Sequence, residues 1–292
     1  MAGAPEHRLL DDGKRLHLHH GPIDLVIGAA GSDREIARAY IQARNRFQDV
    51  LSGLVEELAM LRTPLSDPPW KPKGPVARRM VEAVWPHRGV FVTPMAAVAG
   101  AVADDMLAAM TEGSDLDSCW VNNSGDIAFH LAPGQTLSLG VVGDLHRPAI
   151  NGVVEFSHDM NVRGIATSGW AGRSHSFGVA DAVTVLASNA ARADVAATLI
   201  ANDVDVDHPS IVRKPADEID DDTDLGDRMV TVSVGDLDGG SIRAALDLGV
   251  MAAETLRAAG QIDAAMLVLG DQTRLVGDVP AAANSEEKRI ET

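Results

Sequence analysis

The chain has 292 residues, a formal net charge of −17 at pH 7 and only 3% aromatic residues. This length predicts one domain built of two similar halves, residues 1–280, followed by a disordered tail at 281–292. The acidic charge disfavours nucleic acid and anionic membranes as partners, because it repels phosphates within a Debye length. The single cysteine, Cys119, excludes an internal disulfide and an iron–sulfur cluster held by this chain alone.

The N-terminal segment carries Glu6, His7 and Arg8 where a signal peptide would have an apolar run. No stretch approaches the ~20 apolar residues that a membrane helix needs. We therefore expect a cytoplasmic protein that acts on a small-molecule ligand. Alanine-rich helix faces are compatible with a homodimer.

The first half of the sequence predicts a hairpin, three helices and four strands. Apolar and polar residues alternate over 15–28 and break at Gly21-Pro22, which predicts the hairpin. Helical spacing predicts a long helix from Asp33 to Leu61, then helices at Val76–Val84 and Pro94–Met110. The predicted strands are Cys119–Asn122, Ile127–Leu131, Leu137–Val142 and Val153–Phe156.

The second half predicts a loop at 164–175 and an acidic loop at 217–227. A calcium site is the alternative for the acidic run, but the run lacks the Gly and the closing Glu of an EF-hand. The order of elements predicts an α+β fold with a duplicated ββααββ unit around a mixed or antiparallel sheet. The predicted elements are strand Ala182–Leu186, helix Asn189–Ala201, strand Met229–Val234, helix Ser241–Ala259, and strands Ala264–Leu269 and Thr273–Val276.

A polar turn between two predicted strands is the first candidate ligand site. It contains Asn122, Asn123, Gly125 and Asp126. Asn, Gly and Asp adopt the positive φ angles of hairpin turns, so an ordinary turn explains them when they are taken alone. Their side chains and backbone N–H groups are equally suited to holding a phosphate or the edge of a flavin ring.

The segment 164–175 is the second candidate ligand site because it combines small residues with polar side chains. Small residues let the backbone approach a ligand closely, hydroxyl groups donate to oxygens, and an arginine pairs with phosphate. A surface loop is the structural alternative, but the exposure of Trp170 would be costly without a use. The candidate ligand-binding residues are Thr167, Ser168, Gly169 and Arg173, and His175 lies in the same segment.

Asp194 and Thr198 are four residues apart in the helix predicted over 189–201. On a helix they share one face, about one turn apart. Carboxylate and hydroxyl oxygens suit a hard cation such as Mg²⁺. For this pair alone, compensation of the helix dipole by Asp194 is the simpler interpretation.

These segments, in this order, resemble the ApbE family of FAD:protein FMN transferases. Residues 122–127 resemble the family's Asn-x-Gly-Gly-Asp-Ile turn, and residues 167–169 its Thr-Ser-Gly loop. Asp194 and Thr198 match its Ala-Asp-x-x-x-Thr element, and Pro94–Asp104 resembles its small-residue helix. The resemblance spans roughly positions 74 to 203 and implies a fold of two tunnelling-type ββααββ modules.

The resemblance implies a flavin nucleotide, FAD or FMN, and Mg²⁺ as cofactors. It places the metal on Asp194 and Thr198 and the flavin on the turn and the loop described above. His175 and Asp181 are the catalytic candidates, because they are what this sequence keeps of the family's His-x-x-Asp-Pro-x-Thr-Gly segment. They would help to activate an acceptor hydroxyl. The leading hypothesis is therefore a flavin-binding enzyme, a Mg²⁺-dependent FMN transferase.

Two alternatives follow from departures from the family pattern. Ala99 stands where the transferases carry a Lys, and Ser124 replaces the second glycine of the turn. One alternative is a component of a flavin- or ferredoxin-linked reductase of an N-heteroaromatic acid such as 6-hydroxynicotinate, which would need an iron–sulfur protein as electron donor. The other is a non-catalytic ligand-binding or assembly protein.

Overall fold

The computed structural model of the protein describes residues 3–142 and 150–278. The predicted tail at 281–292 lies outside the described residues. Within the two described ranges, no helix has the length and the apolar composition that crossing a bilayer requires.

A nine-stranded sheet in the order β1-β2-β3-β4-β5-β8-β9-β12-β13 forms the base of the fold. Every neighbouring pair in it is antiparallel. Two further antiparallel pairs, β6–β7 and β10–β11, stand apart from it. The strands are β1 (Glu6–Leu9), β2 (Leu16–His20), β3 (Ile23–Gly31), β4 (Leu116–Asn123), β5 (Asp126–Leu131), β6 (Thr136–Val142), β7 (Ile150–Ser157), β8 (Gly164–Ser168), β9 (Ala182–Ala187), β10 (Ile211–Pro215), β11 (Met229–Val234), β12 (Ala264–Leu269) and β13 (Gln272–Val276).

Seven α-helices connect and cover these strands in the described ranges, and α5 is preceded by a 3-10 turn at Pro94–Ala97. Along the chain, helices α1 to α5 lie between the strand pairs β2-β3 and β4-β5. Helices α6 and α7 lie between the pairs β8-β9 and β12-β13. The α+β prediction with two ββααββ units is therefore confirmed, and the sheet is antiparallel rather than mixed. The helices are α1 (Asp33–Phe47), α2 (Val50–Glu56), α3 (Leu58–Leu61), α4 (Pro75–Val84), α5 (Val98–Thr111), α6 (Ala190–Asp203) and α7 (Gly239–Ala258).

The single long helix predicted over 33–61 is wrong, because the chain breaks twice. Asp49 and Glu57 leave the helical conformation, with φ of −116° and −111° and ψ near zero. The Glu57 carboxylate accepts the backbone N–H groups of Lys73 and Gly74, both at 2.8 Å. These bonds tie the break to the start of α4, a contact that helical spacing cannot reveal.

The loop predicted at 164–175 is also partly wrong, since its first five residues form the buried strand β8. A Cβ at Gly164 would lie 2.0 Å from the backbone carbon of Asn189, which caps α6. The glycine therefore marks close packing under a helix start rather than a flexible loop. Strands β1 and β10 were not predicted; β1 is fully exposed and β10 lacks buried apolar alternation.

Helices α5 and α6 cross close to their N-termini above the sheet. A Cβ at Gly100 would lie 2.3 Å from the carbonyl oxygen of Ala190. Both helices are lined with alanines that are buried, including Ala101, Ala103 and Ala193. Small side chains therefore set the close approach of these two backbones.

Replacing Gly100 by Ala should lower the free energy of unfolding by about 2 kcal/mol or more, because the added methyl meets a backbone carbonyl that cannot rotate away. Gly53→Ala in α2 is the matched control, since its Cβ would meet no atom within 4 Å. We expect the control to be neutral or stabilising by up to about 1 kcal/mol. Urea denaturation measures both, and equal effects of the two substitutions would contradict the close crossing.

Candidate functional site

The polar turn is a two-residue hairpin connection between β4 and β5. Asn123 pairs with Asp126, and Ser124 and Gly125 between them have φ of 56° and 114°. The Asn122 Oδ1 atom accepts the backbone N–H of Gly125 at 2.8 Å. Asn122 therefore stabilises the turn, as the structural interpretation predicts.

Two residues that flank this turn point towards the crossing of α5 and α6. Asn123 is buried, and its Nδ2 donates to the carbonyl of Ala99 at 3.0 Å. Asp126 is 9% exposed and accepts the backbone N–H of Thr167. The turn thus brings an amide and a carboxylate to the N-terminal end of α5.

Each of the two crossing helices supplies an aspartate to the N-terminus of the other. Asp104 on α5 accepts the N–H groups of Ala190 and Ala191 at 3.0 and 2.9 Å. Asp194 on α6 accepts the N–H of Gly100 at 3.0 Å and also bonds to that of Ala99. Free N–H groups and the helix dipole make an N-terminus a favourable place for a carboxylate. Reciprocal capping therefore fixes both aspartates.

Burial makes ionisation of these carboxyl groups unfavourable. Desolvation raises the pKa of Asp104 to about 6, although the two N–H bonds oppose the shift. Desolvation also raises the pKa of Asp194 to about 7, and the negative charge of Asp104 adds to it. The pKa of Asp126 lies well above its usual range because of burial and the nearby charge of Asp194. Asp126, which is buried, and Asp194, which is partly buried, therefore form a pair of acids that share a region of low polarity.

The predicted Thr-Ser-Gly loop is the end of β8 and lies beside this pair. The hydroxyl groups of Thr167 and Thr184 are 2.9 Å apart, and Ser168 is partly buried next to them. A Cβ at Gly169 would lie 2.4 Å from the carbonyl oxygen of Asp181. Close packing of two chain segments accounts for this glycine without a ligand.

The segment that follows β8 is attached at both ends. Arg173 is exposed, and its Nη1 donates to the Ser124 hydroxyl at 3.1 Å, which joins the segment to the polar turn. Trp170 Nε1 donates to one Asp181 oxygen at 3.1 Å, and the Gly270 N–H donates to the other at 2.7 Å. The Asp181 carboxylate therefore positions the segment, which contains the partly buried His175.

The oxygen donors near the crossing are suited to a hard cation. Asp194 and Thr198 lie one turn apart on α6, as predicted, and Asp126 faces Asp194 from the sheet. Among the described residues, no group of three or more His, Cys, Asp or Glu side chains is arranged to hold a metal. Mg²⁺ usually binds one or two carboxylates, with waters and ligand phosphates completing its shell, so two carboxylates and a hydroxyl fit it.

Sequence reasoning missed the structural role of Asp104, which appeared only as the last residue of the matched helix. Its signal is an aspartate in an otherwise small and apolar segment, where a charge must find a partner. Cys119, in contrast, has no part in the site. Burial raises the pKa of its thiol to about 12, so the thiol stays protonated and is a poor nucleophile.

Asp194→Asn should change how stability depends on pH. Because its pKa is raised, Asp194 in the folded protein still holds a proton at pH values where the unfolded chain has released it, from about pH 4 upwards. This difference in proton binding makes the folded state less stable as the pH rises to about 7. We expect the unfolding free energy of the variant minus that of the wild type to increase by about 2 kcal/mol between pH 5 and 8 in EDTA.

The difference between the two proteins is the quantity to measure, by urea denaturation at each pH. Burial lowers the pKa values of His87 and His130, whose contribution has the opposite sign but is common to both proteins. A difference that stays constant from pH 5 to 8 would show that Asp194 ionises normally.

Two solved structures match this chain at low similarity. The apo form of the flavinyl transferase ApbE from Pseudomonas stutzeri is 11% identical, with a TM-score of 0.44 over 93% of each chain. An ApbE protein from Thermotoga maritima is 14% identical, with a TM-score of 0.34 over 82% of this chain and 74% of that one.

Archaeal sequences are more similar. The UPF0280 protein of Methanothrix thermoacetophila is 32% identical over 191 residues, which are 64% of this chain and 76% of the relative. That of Methanopyrus kandleri is 38% identical over 148 residues, and that of Methanothermobacter thermautotrophicus is 37% identical over 140. The chain spans 56% and 49% of the length of these last two relatives, respectively.

The sequence model of a family described as AbpE bacteria matches residues 7–275. This range includes both ββααββ units and all of the candidate site residues. The chain therefore belongs to the AbpE bacteria family, which confirms the ApbE-like resemblance carried by its three ordered motifs.

Proposed function

We propose that this chain binds a flavin nucleotide together with Mg²⁺ at the crossing of α5 and α6, and transfers FMN from FAD to an acceptor hydroxyl. The observation that carries the proposal is the pair of carboxyl groups with raised pKa values, Asp126 and Asp194, beside the hydroxyl-bearing end of β8. Membership of an ApbE-like family supports the flavin as the ligand.

A divalent cation would remove the main electrostatic cost of this arrangement. Desolvation raises the pKa values of both Asp126 and Asp194, so ionisation of both groups is unfavourable without a counter-charge, and in the metal-free protein a bound proton supplies it. One Asp194 oxygen is already bonded to α5, so Asp126, Thr198 and the other Asp194 oxygen are the protein ligands that we assign to the metal. Bound Mg²⁺ would neutralise a diphosphate at this position.

We assign Arg173 to one phosphate of the FAD diphosphate. Its guanidinium donates one hydrogen bond to Ser124, which leaves other donors for an anion. This bond also holds Arg173 beside the turn that carries Asn123 and Asp126. The charge of −17 on the whole chain would otherwise disfavour an anionic ligand, so a local cation and a local arginine are both needed.

In the transfer step the acceptor hydroxyl oxygen forms a bond to the phosphorus of the FMN half, and the bond from that phosphorus to AMP breaks. AMP leaves with the electron pair of that bond. We assign His175 to take the hydroxyl proton, because Asp181 uses both carboxylate oxygens to hold the segment that contains His175. Asp181 is therefore a positioning residue in this proposal.

Binding of FAD to the wild type should depend on Mg²⁺, and Asp194→Asn should weaken it by about tenfold or more, because the substitution removes a metal-binding charge. Thr198→Val should have a smaller effect in the same direction. Asp247→Asn is the matched control, since Asp247 lies on the exposed face of α7 and loses the same charge. Calorimetric titration of FAD with and without Mg²⁺ measures all four proteins.

Flavin binding that is unchanged in Asp194→Asn would contradict the site. Absence of FAD binding to the wild type at millimolar Mg²⁺ would contradict the ligand, and the search would then turn to N-heteroaromatic acids and to electron-donor proteins. Equal losses in Asp194→Asn and Asp247→Asn would show a general effect of charge rather than a metal site.

A further inference from the structure

A cleft lies at the start of α6, on the side of the helix crossing where Asp104 is found. Its volume is about 280 Å³, and it opens between α4, α5 and the far end of β5. His130 in this cleft is four residues along β5 from Asp126, or about 13 Å. The side chains that matter here are Arg79, Asp104, His130, Arg163, Ser188 and Asn189.

Arg79 brings a cation to this cleft whose ion pair is long. Its nearest carboxylate is Asp105, whose Oδ1 is 3.7 Å from Arg79 Nε, too far for a hydrogen bond. Asp105 is already bound by Arg46 Nε at 2.6 Å. Arg79 Nε is shielded from solvent and lacks a hydrogen-bond partner in the part of the chain that the structure describes. The side chain as a whole remains 38% exposed, so a ligand can reach it.

Arg163 brings a second positive charge. Its guanidinium donates to the carbonyl oxygens of His158, Met160 and Val162 at 2.6 to 2.7 Å. These acceptors hold the group in place but carry no net charge that would neutralise it. Desolvation accordingly lowers the pKa of Arg163. The pKa of His130 is lowered by burial and by the charge of Arg163, so His130 lies close to that charge.

Asp104 is the acidic residue in the cleft, and the charge of Arg79 acts to lower its pKa. Both of its oxygens accept backbone N–H groups at the start of α6, where the positive end of the helix dipole balances them. The Asn189 Oδ1 atom caps the same helix by accepting the N–H of Arg192 at 2.9 Å, which leaves its amide group as a donor. The Ser188 hydroxyl lies beside it in the cleft wall.

We propose that this cleft is a separate binding site for a compact oxyanion, a phosphate or a short carboxylate, with Arg79 as its principal ligand. Two arginines, of which Arg163 is bonded to carbonyl groups alone and Arg79 is only loosely paired with Asp105, surround one small concave space together with a hydroxyl-bearing residue and an amide. Such a set of donors is the usual means of holding an oxyanion. The volume is below the usual range for drug-sized ligands, which favours a small ion.

The test is calorimetric titration of inorganic phosphate and of malonate at constant ionic strength. Arg79→Gln should weaken anion binding by about tenfold or more, because it removes the charge and the bidentate donors. Arg78→Gln is the matched control, since the neighbouring side chain is exposed and loses the same charge. Ser188→Ala is a second variant of the cleft that keeps every charge, and we expect a loss of about threefold.

The site near Asp194 serves to separate this proposal from the proposed function. Asp194→Asn should leave phosphate and malonate affinity unchanged, whereas it should weaken FAD binding. Absence of binding of both anions to the wild type up to about 10 mM would overturn the cleft proposal. Equal affinity of Arg79→Gln and Arg78→Gln, or a loss of phosphate binding in Asp194→Asn alone, would also overturn it.

Discussion

The candidate site depends on the contact between the N-termini of α5 and α6. The contact is possible because Gly100 leaves no side chain between the helices, and a methyl there would lie 2.3 Å from the Ala190 carbonyl oxygen. Two helix N-termini at this distance bring two positive dipole ends together, which is unfavourable by itself. Asp104 and Asp194, each reaching the opposite helix, accept the free N–H groups there and so stabilise the crossing.

The reciprocal capping of α5 and α6 also fixes the geometry of the candidate site. Asp194 is held by α5 and cannot turn away from Asp126, which the Thr167 N–H holds from the sheet. Two fixed acids with raised pKa values favour either protons or a cation, and a site that is rigid before binding loses little entropy when the cation arrives. The same crossing leaves the other end of the helix pair with basic residues around Asp104. The close crossing of α5 and α6 thus lies between the proposed cation site near Asp194 and the proposed anion site near Asp104.

The sequence predicts most of the fold because most of its elements carry a local signal. Alternation identifies β2 and the start of β3, a continuous apolar run identifies β12, and small or apolar residues identify α5 and α6. The breaks around α2 and the strand β8 escape prediction, because they depend on contacts such as Glu57 with Gly74 and Gly164 with Asn189.

The same limit applies to the site. Its motifs identify Asn123, Asp126 and Asp194 as candidates, yet the reciprocal bonds join residues 86 and 94 positions apart in the chain and have no local signature.

The most direct test of this account is anomalous diffraction from crystals soaked in Mn²⁺, which replaces Mg²⁺ at oxygen-rich sites and can be located by its own signal. The account predicts one strong peak within about 2.5 Å of an Asp194 carboxylate oxygen, adjacent to Asp126 and Thr198. The same soak of Asp194→Asn should lose that peak. A peak elsewhere, with none between Asp126 and Asp194, would contradict the assignment of this pair as a cation site.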